Sequence, residues 1–210
     1  MMMGYLLRFE KEIILSMRKQ YLYRTFFVFC LSLASYGHAE KDFNGSYVGA
    51  GAQYTYNRGN FGAESYKGMS LSSRLFTGYG WVKERLYYGI EGGLSYDSFS
   101  KKKDGARLKK TWSADGSCRL GRIIRQHFMP FVRVGVRHDH YTFQPSGAKK
   151  NQFGVGMVVY GVGVDAFASD RMIIRSEINY AFCTGFRNNK NVSGKKPLNV
   201  SVAMSAAYFL

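Results

Sequence analysis

Histidines cluster at one place in this chain, the tripeptide His138-Asp139-His140. Two histidines at positions i and i+2 of a strand lie on the same face and could both ligate a metal ion. A zinc site needs a third protein ligand, and none stands at an identifiable spacing. Cys118 and Cys183 also lack a metal-binding spacing. The sequence therefore predicts no metal and no cofactor.

A glycine-rich string, Gly161-Val-Gly163-Val-Asp-Ala166, matches the dinucleotide-binding pattern G-x-G-x-x-G/A. That pattern cradles a pyrophosphate only where a strand turns into a helix. No helix is predicted after this string, so we exclude nucleotide binding. The residues of chemical interest are instead charges that recur along strands.

Ten charged residues lie on one face of the predicted strands. In segment 130–139, for example, Arg133, Arg137 and Asp139 alternate with valines. Because strand side chains alternate between two faces, one face is charged and the other is apolar. The five arginines and five carboxylates sum to zero, which predicts a buried network of ion pairs. Its members are Arg74, Glu91, Asp115, Arg119, Arg133, Arg137, Asp139, Asp165, Arg175 and Glu177.

Turn residues and alternating patterns divide residues 40–210 into eight strands of about ten residues or slightly more. We expect them near 46–56, 70–81, 86–96, 111–121, 129–139, 154–167, 172–182 and 198–210. Long polar segments (57–69, 97–110, 140–153 and 183–197) alternate with short ones (82–85, 122–128 and 168–171). This alternation is typical of an up-and-down barrel with long loops at one end and short turns at the other.

The apolar face must point outward if the charges are enclosed. A transmembrane barrel turns apolar side chains to lipid and keeps polar groups in its lumen. Aromatic residues, which favour the lipid headgroup level, fall near both ends of the outward face. They are Tyr54, Tyr56, Tyr96, Trp112, Tyr180 and Phe182 at one end, and Tyr79, Trp81, Tyr88 and Tyr208 at the other. The predicted fold is all-β, an eight-stranded antiparallel transmembrane barrel whose polar lumen is plugged by side chains.

The N-terminus has the pattern of a secretory signal peptide. Basic residues precede the apolar run 25–35, and Gly37-His38-Ala39 offers small residues for cleavage. We expect residues 1–39 to be removed, with 1–16 a misassigned start, leaving one barrel domain at 40–210. That domain has 25 basic and 12 acidic side chains, a net charge of +13.

The opening strand Gly45-Ser-Tyr-Val-Gly-Ala-Gly-Ala, the run Phe131-Val-Arg-Val-Gly-Val and the aromatic C-terminal strand resemble a known group. It comprises the eight-stranded Gram-negative outer-membrane proteins of the OmpA-barrel, OmpX and opacity-protein (Opa) type. The resemblance implies a location in the bacterial outer membrane, insertion by the barrel-assembly machinery, and a role in envelope structure, adhesion or resistance to host defences. Members usually end in Phe, so Leu210 departs from the pattern, whereas Tyr208 and Phe209 conform to it.

The four long loops hold +11 of the net charge. A cationic surface attracts phosphates and sulfates, so we expect outer-membrane lipid and lipopolysaccharide as partners, with host polyanions or receptors beyond them. The predicted polyanion-binding residues are Lys101, Lys102, Lys103, Arg107, Lys109, Lys110, Arg187, Lys190, Lys195 and Lys196. Neutralising Lys101–Lys103 should weaken binding to heparin in a salt-dependent way.

Other functions fit the sequence less well. Nucleic-acid binding would need a recognition helix or an RNA-binding signature, and the chain has neither. A barrel enzyme acting on lipid A would need a His-x-Ser pair with a carboxylate, and no histidine here has Ser two positions later. A soluble lipocalin-like ligand carrier would need an apolar lumen and a solvent-facing charged surface. We therefore predict a non-enzymatic surface protein without catalytic residues.

Overall fold

The computed structural model describes residues 43–61, 64–103, 105–124, 127–144, 150–186 and 197–210. The predicted signal peptide lies outside these ranges. Nine strands occur within them: β1 Gly45–Phe61, β2 Glu64–Lys83, β3 Leu86–Asp97, β4 Ser100–Lys103, β5 Ala106–Arg122, β6 Phe128–Gln144, β7 Asn151–Phe167, β8 Met172–Phe186 and β9 Leu198–Phe209. In the described part of the chain, no helix is both long and apolar enough to cross a membrane.

The strands form one antiparallel sheet that closes on itself. Its order is β3-β2-β1-β9-β8-β7-β6-β5-β4, and the pairing of β3 with β5 completes the ring. β3 and β4 follow one another with a two-residue break, at which the Ser98 amide still donates to the Leu71 carbonyl at 3.1 Å. The barrel therefore has eight strands, the third in two parts. This confirms the predicted fold class.

The strands extend further than predicted at the end with the long segments, here called the long-loop end. Arg58 pairs with Lys67, and Thr142 pairs with Gln152, inside segments predicted to be loops. The Asn, Lys and Ser content of these segments is typical of loops. Strand pairing nevertheless continues into them, because it satisfies the backbone amides and carbonyls independently of the side chains. At the opposite, short-turn end, Glu84 and Arg85 have φ of 49° and 68°, as a two-residue hairpin turn requires.

Aliphatic side chains cover the middle of the outward face. Leu75 and Val136, for example, are 66% and 65% exposed. The predicted aromatic residues flank this band: the Trp81 ring stacks on Tyr88 at 5.7 Å at the short-turn end, and Trp112 is exposed towards the long-loop end. The lipocalin alternative is therefore wrong, because the apolar face is outside.

The barrel interior has three layers. A cluster of buried apolar residues fills the short-turn end: Phe43, Tyr47, Phe76, Tyr87, Met129, Phe167, Ile173, Ala207 and Phe209. A second fills the long-loop end: Tyr66, Phe99, Leu108, Tyr141, Val155, Met157, Val159, Ala181 and Cys183. The buried charges lie between them. The sequence analysis predicted a polar lumen throughout, and the structure differs at both ends.

Candidate functional site

Eight of the ten predicted lumen charges form one connected set, which we call the central charge network. Glu91 on β3 lies near its middle. Its Oε1 is 3.0 Å from Arg74 Nη2, and its Oε2 is 2.6 Å from Arg175 Nη1 and 3.8 Å from Arg119 Nη1. The Tyr47 hydroxyl donates a further hydrogen bond to Glu91 at 3.0 Å. One buried carboxylate thus joins arginines from three strands.

Two aspartates extend the central charge network around the barrel. Asp165 accepts from Arg119 at 2.7 Å and from Arg175 at 2.9 Å. Asp115 accepts from Arg74 at 2.7 Å and also from Arg133, which reaches Glu177 at 3.2 Å. The network is neutral, because it contains four arginines and four carboxylates. They are Arg74, Arg119, Arg133, Arg175, Glu91, Asp115, Asp165 and Glu177. Pairing of this kind offsets the cost of removing the charges from water.

The arginines of the central charge network also pack against rings and glycines. Arg119 Cζ lies 3.9 Å from the centre of the Phe131 ring, a distance at which cation–π attraction acts. A Cβ added at Gly93 would come within 2.8 Å of Arg74 Nη2. The absence of a side chain at Gly93 therefore makes room for a guanidinium group.

A second group of charges, which we call the upper charge network, lies between the central charge network and the long-loop end. Asp139 is 2.8 Å from Arg137 Nε and 3.1 Å from Lys110 Nζ. Lys110 also reaches Asp97 at 3.3 Å. All four side chains are buried. Two positive and two negative groups make this network neutral as well.

The placement of Lys110 corrects the sequence analysis, which assigned it to the basic loops. Its side chain is only 2% exposed and points inward. The cause is a β-bulge at Thr111: Lys110 pairs with Tyr141, but Trp112 pairs with His140. Strict alternation from the outward-facing Trp112 would put Lys110 on the outside as well. The extra residue of the bulge reverses the alternation, so Lys110 faces the interior instead.

The other predicted loop cations have varied surroundings. Lys101, Lys102 and Arg107 are exposed, and Lys109 is half-buried. Lys103 ends β4, and its side chain is not among those described. Four others lie outside the described residues, namely Arg187, Lys190, Lys195 and Lys196.

The interior holds little free space. A cavity of about 10 Å³ lies between the charged side chains, among them Arg74, Lys110 and Arg137. Space of that size admits about one water molecule.

The histidine cluster faces outward. The His140 ring stacks on Trp112 with centroids 5.4 Å apart and planes 9° apart, and its Nδ1 is 2.8 Å from Thr111 Oγ1. His138 is exposed on the same face. Within the residues that the structure describes, no group of three or more His, Cys, Asp or Glu side chains could hold a metal. The Gly161 string lies near the C-terminal end of β7, and a strand offers no helix N-terminus for a phosphate.

Relatives of the chain are outer-membrane proteins. No known family profile matches it. It is 26% identical over 136 residues to a 22 kDa outer membrane protein of Rhizobium leguminosarum bv. viciae, covering 65% of this chain and 62% of the relative. It is 26% identical over 137 residues to a 25 kDa outer-membrane immunogenic protein of Brucella canis, covering 65% and 63%. The chain thus spans less than two thirds of these curated relatives.

Solved structures share the fold at low sequence identity. Neisserial surface protein A superposes with a TM-score of 0.56 at 14% identity, covering 80% of this chain and 98% of that one. Ail, the attachment invasion locus protein of Yersinia pestis, gives 0.54 at 12%, covering 80% and 100%. Ail has also been solved in complex with the heparin analogue sucrose octasulfate. The closed barrel and the named relatives together identify this chain as an eight-stranded β-barrel protein of the bacterial outer membrane.

Proposed function

We propose that this protein is a non-enzymatic surface barrel with a closed lumen, whose basic long-loop end binds polyanions outside the cell. One contrast carries the proposal. The twelve buried charges of the central and upper charge networks cancel, whereas the four long segments carry +11 in sequence. Lys110 and Asp97 enter the interior as a pair, so their burial leaves that excess unchanged.

The filled interior supports a closed lumen. Apolar clusters occupy both of its ends, and the cavity between the charges has room for about one water molecule. Ions crossing such a core would have to displace paired charges and buried aromatic rings. We therefore assign the function to the outside of the barrel rather than to transport.

The β4–β5 hairpin presents the cations. Lys101 and Lys102 precede the turn, Gly105 turns the chain with φ of 80°, and Arg107 follows it. These three basic side chains are exposed. A cluster of cations that protrudes from a membrane attracts sulfated and phosphorylated polymers at long range. The heparin-analogue complex concerns Ail and not this chain, and it supports the choice of heparin as the probe.

The test compares two triple variants of equal charge change in cells that display the protein. Lys101→Gln/Lys102→Gln/Lys103→Gln should reduce adhesion to heparin-coated surfaces on the order of tenfold, as expected for the loss of three positive charges. Rising salt should weaken wild-type adhesion. The control, Lys83→Gln/Arg122→Gln/Arg171→Gln, changes the exposed short-turn end and should adhere like wild type. Adhesion that the first variant leaves unchanged, or a wild type that does not adhere, would refute the polyanion proposal.

A further inference from the structure

Two pairs of basic side chains lie on the outward face of the barrel, and together we call them the outer basic row. Arg58 pairs directly with Lys67 across β1 and β2. Lys102 pairs directly with Arg107 across β4 and β5. All four side chains are exposed. Each pair therefore sets two like charges opposite one another.

The two pairs lie on either side of the point where the third strand separates from β2, since β4 pairs with β5 but not with β2. The Ser98 amide donates to the Leu71 carbonyl. Three residues closer to the long-loop end on each strand, the Lys101 side chain reaches over Gly68. A Cβ added at Gly68 would come within 2.5 Å of Lys101 Cε. Lys67 and Lys102 each lie four residues beyond the Ser98–Leu71 hydrogen bond, towards the long-loop end. Within each pair the two strands are about 4.8 Å apart, so two cations meet at each place.

The Arg58–Lys67 pair lies at the height expected of lipid phosphate groups. On β1 and β2, the outward pair next below Arg58 and Lys67 is Tyr56 opposite Met69. Two residues along a strand tilted by about 40° raise the cations roughly 5 Å above that pair. Tyr56 belongs to the aromatic belt, whose rings lie at the headgroup level. The Arg58–Lys67 pair therefore lies where the phosphates of the outer leaflet begin.

The electrostatics of the row call for an external anion. Like charges directly opposite each other in a sheet destabilise it. Among the side chains that the structure describes, no carboxylate forms an ion pair with any member of the row, in contrast to the cations of the interior. The side chains project sideways from the barrel wall, so the anions nearest to them belong to the surrounding lipid.

We propose that the outer basic row binds the phosphate groups of lipid A in the outer leaflet. Its two pairs can each contact one phosphate group, either of one diphosphorylated disaccharide or of two neighbouring glycolipids. The Arg107 Nε donates to Ser100 Oγ at 3.2 Å, which holds this guanidinium on the outward face. This inference requires the outer-membrane location but not the polyanion binding proposed above.

The test uses the full chain, folded in detergent, and purified diphosphoryl lipid A as the probe. Binding is measured from the rise in the thermal unfolding midpoint, because a ligand of the folded state stabilises it. Arg58→Gln/Lys67→Gln should bind about tenfold more weakly than wild type. The matched control, Lys83→Gln/Arg122→Gln, removes the same charge at the other end and should stay within about twofold.

A further arm needs no variant, so it decides the matter even if the row variant does not fold. Lipid A from which both phosphates have been removed should bind wild type about tenfold more weakly than the diphosphorylated form. Equal affinity for the two lipids, or equal weakening by the row variant and its control, would overturn the proposal. Because the row variant keeps Lys101–Lys103 and Arg107, its heparin adhesion separates failure of this proposal from failure of the previous one.

Discussion

Basic side chains inside the barrel and on its outer rim have opposite surroundings, even along one strand. On β2, Arg74 is buried with Nη2 2.7 Å from Asp115 and 3.0 Å from Glu91. Lys67, on the same strand, is exposed and faces Arg58. An unpartnered buried charge costs several kcal/mol, whereas an exposed like-charge pair costs up to about 1 kcal/mol. Charge balance is therefore strict where water is excluded and relaxed where outside anions can approach.

The same rule divides the interior. The central and the upper charge networks share no ion pair, and each is neutral by itself. Neutrality is thus met locally rather than as an average over the lumen. A change that unbalances one network should destabilise the barrel even though the other network is intact.

The largest effect is expected where one carboxylate serves several arginines. Glu91→Gln should lower the free energy of unfolding by about 3–5 kcal/mol, because it leaves buried guanidinium groups without their counter-charge. Urea unfolding in lipid vesicles, followed by tryptophan fluorescence, measures the change. Glu84→Gln, at the exposed short turn, is the control and should stay within about 0.5 kcal/mol of wild type. A loss below about 1 kcal/mol for Glu91→Gln would contradict the account.

Adjacent lysines on β5 give the next comparison. Lys110→Met should lower the free energy of unfolding by about 2–4 kcal/mol. The loss is smaller than for Glu91→Gln because both carboxylates retain a partner. Asp139 is still paired with Arg137, and Asp97 still accepts a hydrogen bond from the Phe99 amide at 2.8 Å. Lys109→Met removes a half-buried neighbour and should cost under about 1 kcal/mol. Equal losses for the two variants in the same unfolding assay would mean that the bulge at Thr111 does not turn Lys110 towards the interior.

Two consecutive glycines on β3 test the packing of the two faces. Gly93→Ala should cost about 1–3 kcal/mol, because its methyl group would displace an Arg74 side chain held by two ion pairs. Gly92→Ala is the control, since its added Cβ would meet only the Asp115 carbonyl at 3.8 Å. Circular dichroism during thermal unfolding compares the two. If the Gly92→Ala protein were less stable than the Gly93→Ala protein, Gly92 and not Gly93 would be the residue that faces the interior.

The smallest effect is expected outside. Lys67→Gln, measured in detergent without lipid A, should leave the free energy of unfolding within about 0.5 kcal/mol of wild type. Any change should be a gain, because the substitution removes the repulsion from Arg58. A loss above about 1 kcal/mol would show that Lys67 has a stabilising partner and would weaken the contrast between the two regions.

The sequence predicted the strand number and the outward face, and the ten charges of the other face lie in the interior of the structure. Strand alternation carries that information, because every second residue must face lipid. It could not place Lys110, since a bulge adds one residue without a distinct composition. It also missed the apolar ends of the interior, because Tyr47 and Phe76 share their faces with small and charged residues on β1 and β2.

The proposed binding surface was the least predictable part. Composition identified the long segments as basic, but the opposition of Arg58 to Lys67 and of Lys102 to Arg107 depends on strand register. Register across a hairpin depends on its turn length, and the polar composition of these segments suggested loops instead of strands. The outer basic row therefore became visible only once the pairing was known.

The claim that joins these results is that the interior is a sealed, balanced core and that binding takes place outside it. Conductance across a planar lipid bilayer containing the purified, folded protein tests this most directly. We predict no current above that of the bare bilayer, because apolar clusters close both ends and about one water molecule fits between the charges. Reproducible, stable conductance steps from the wild-type protein would contradict the account.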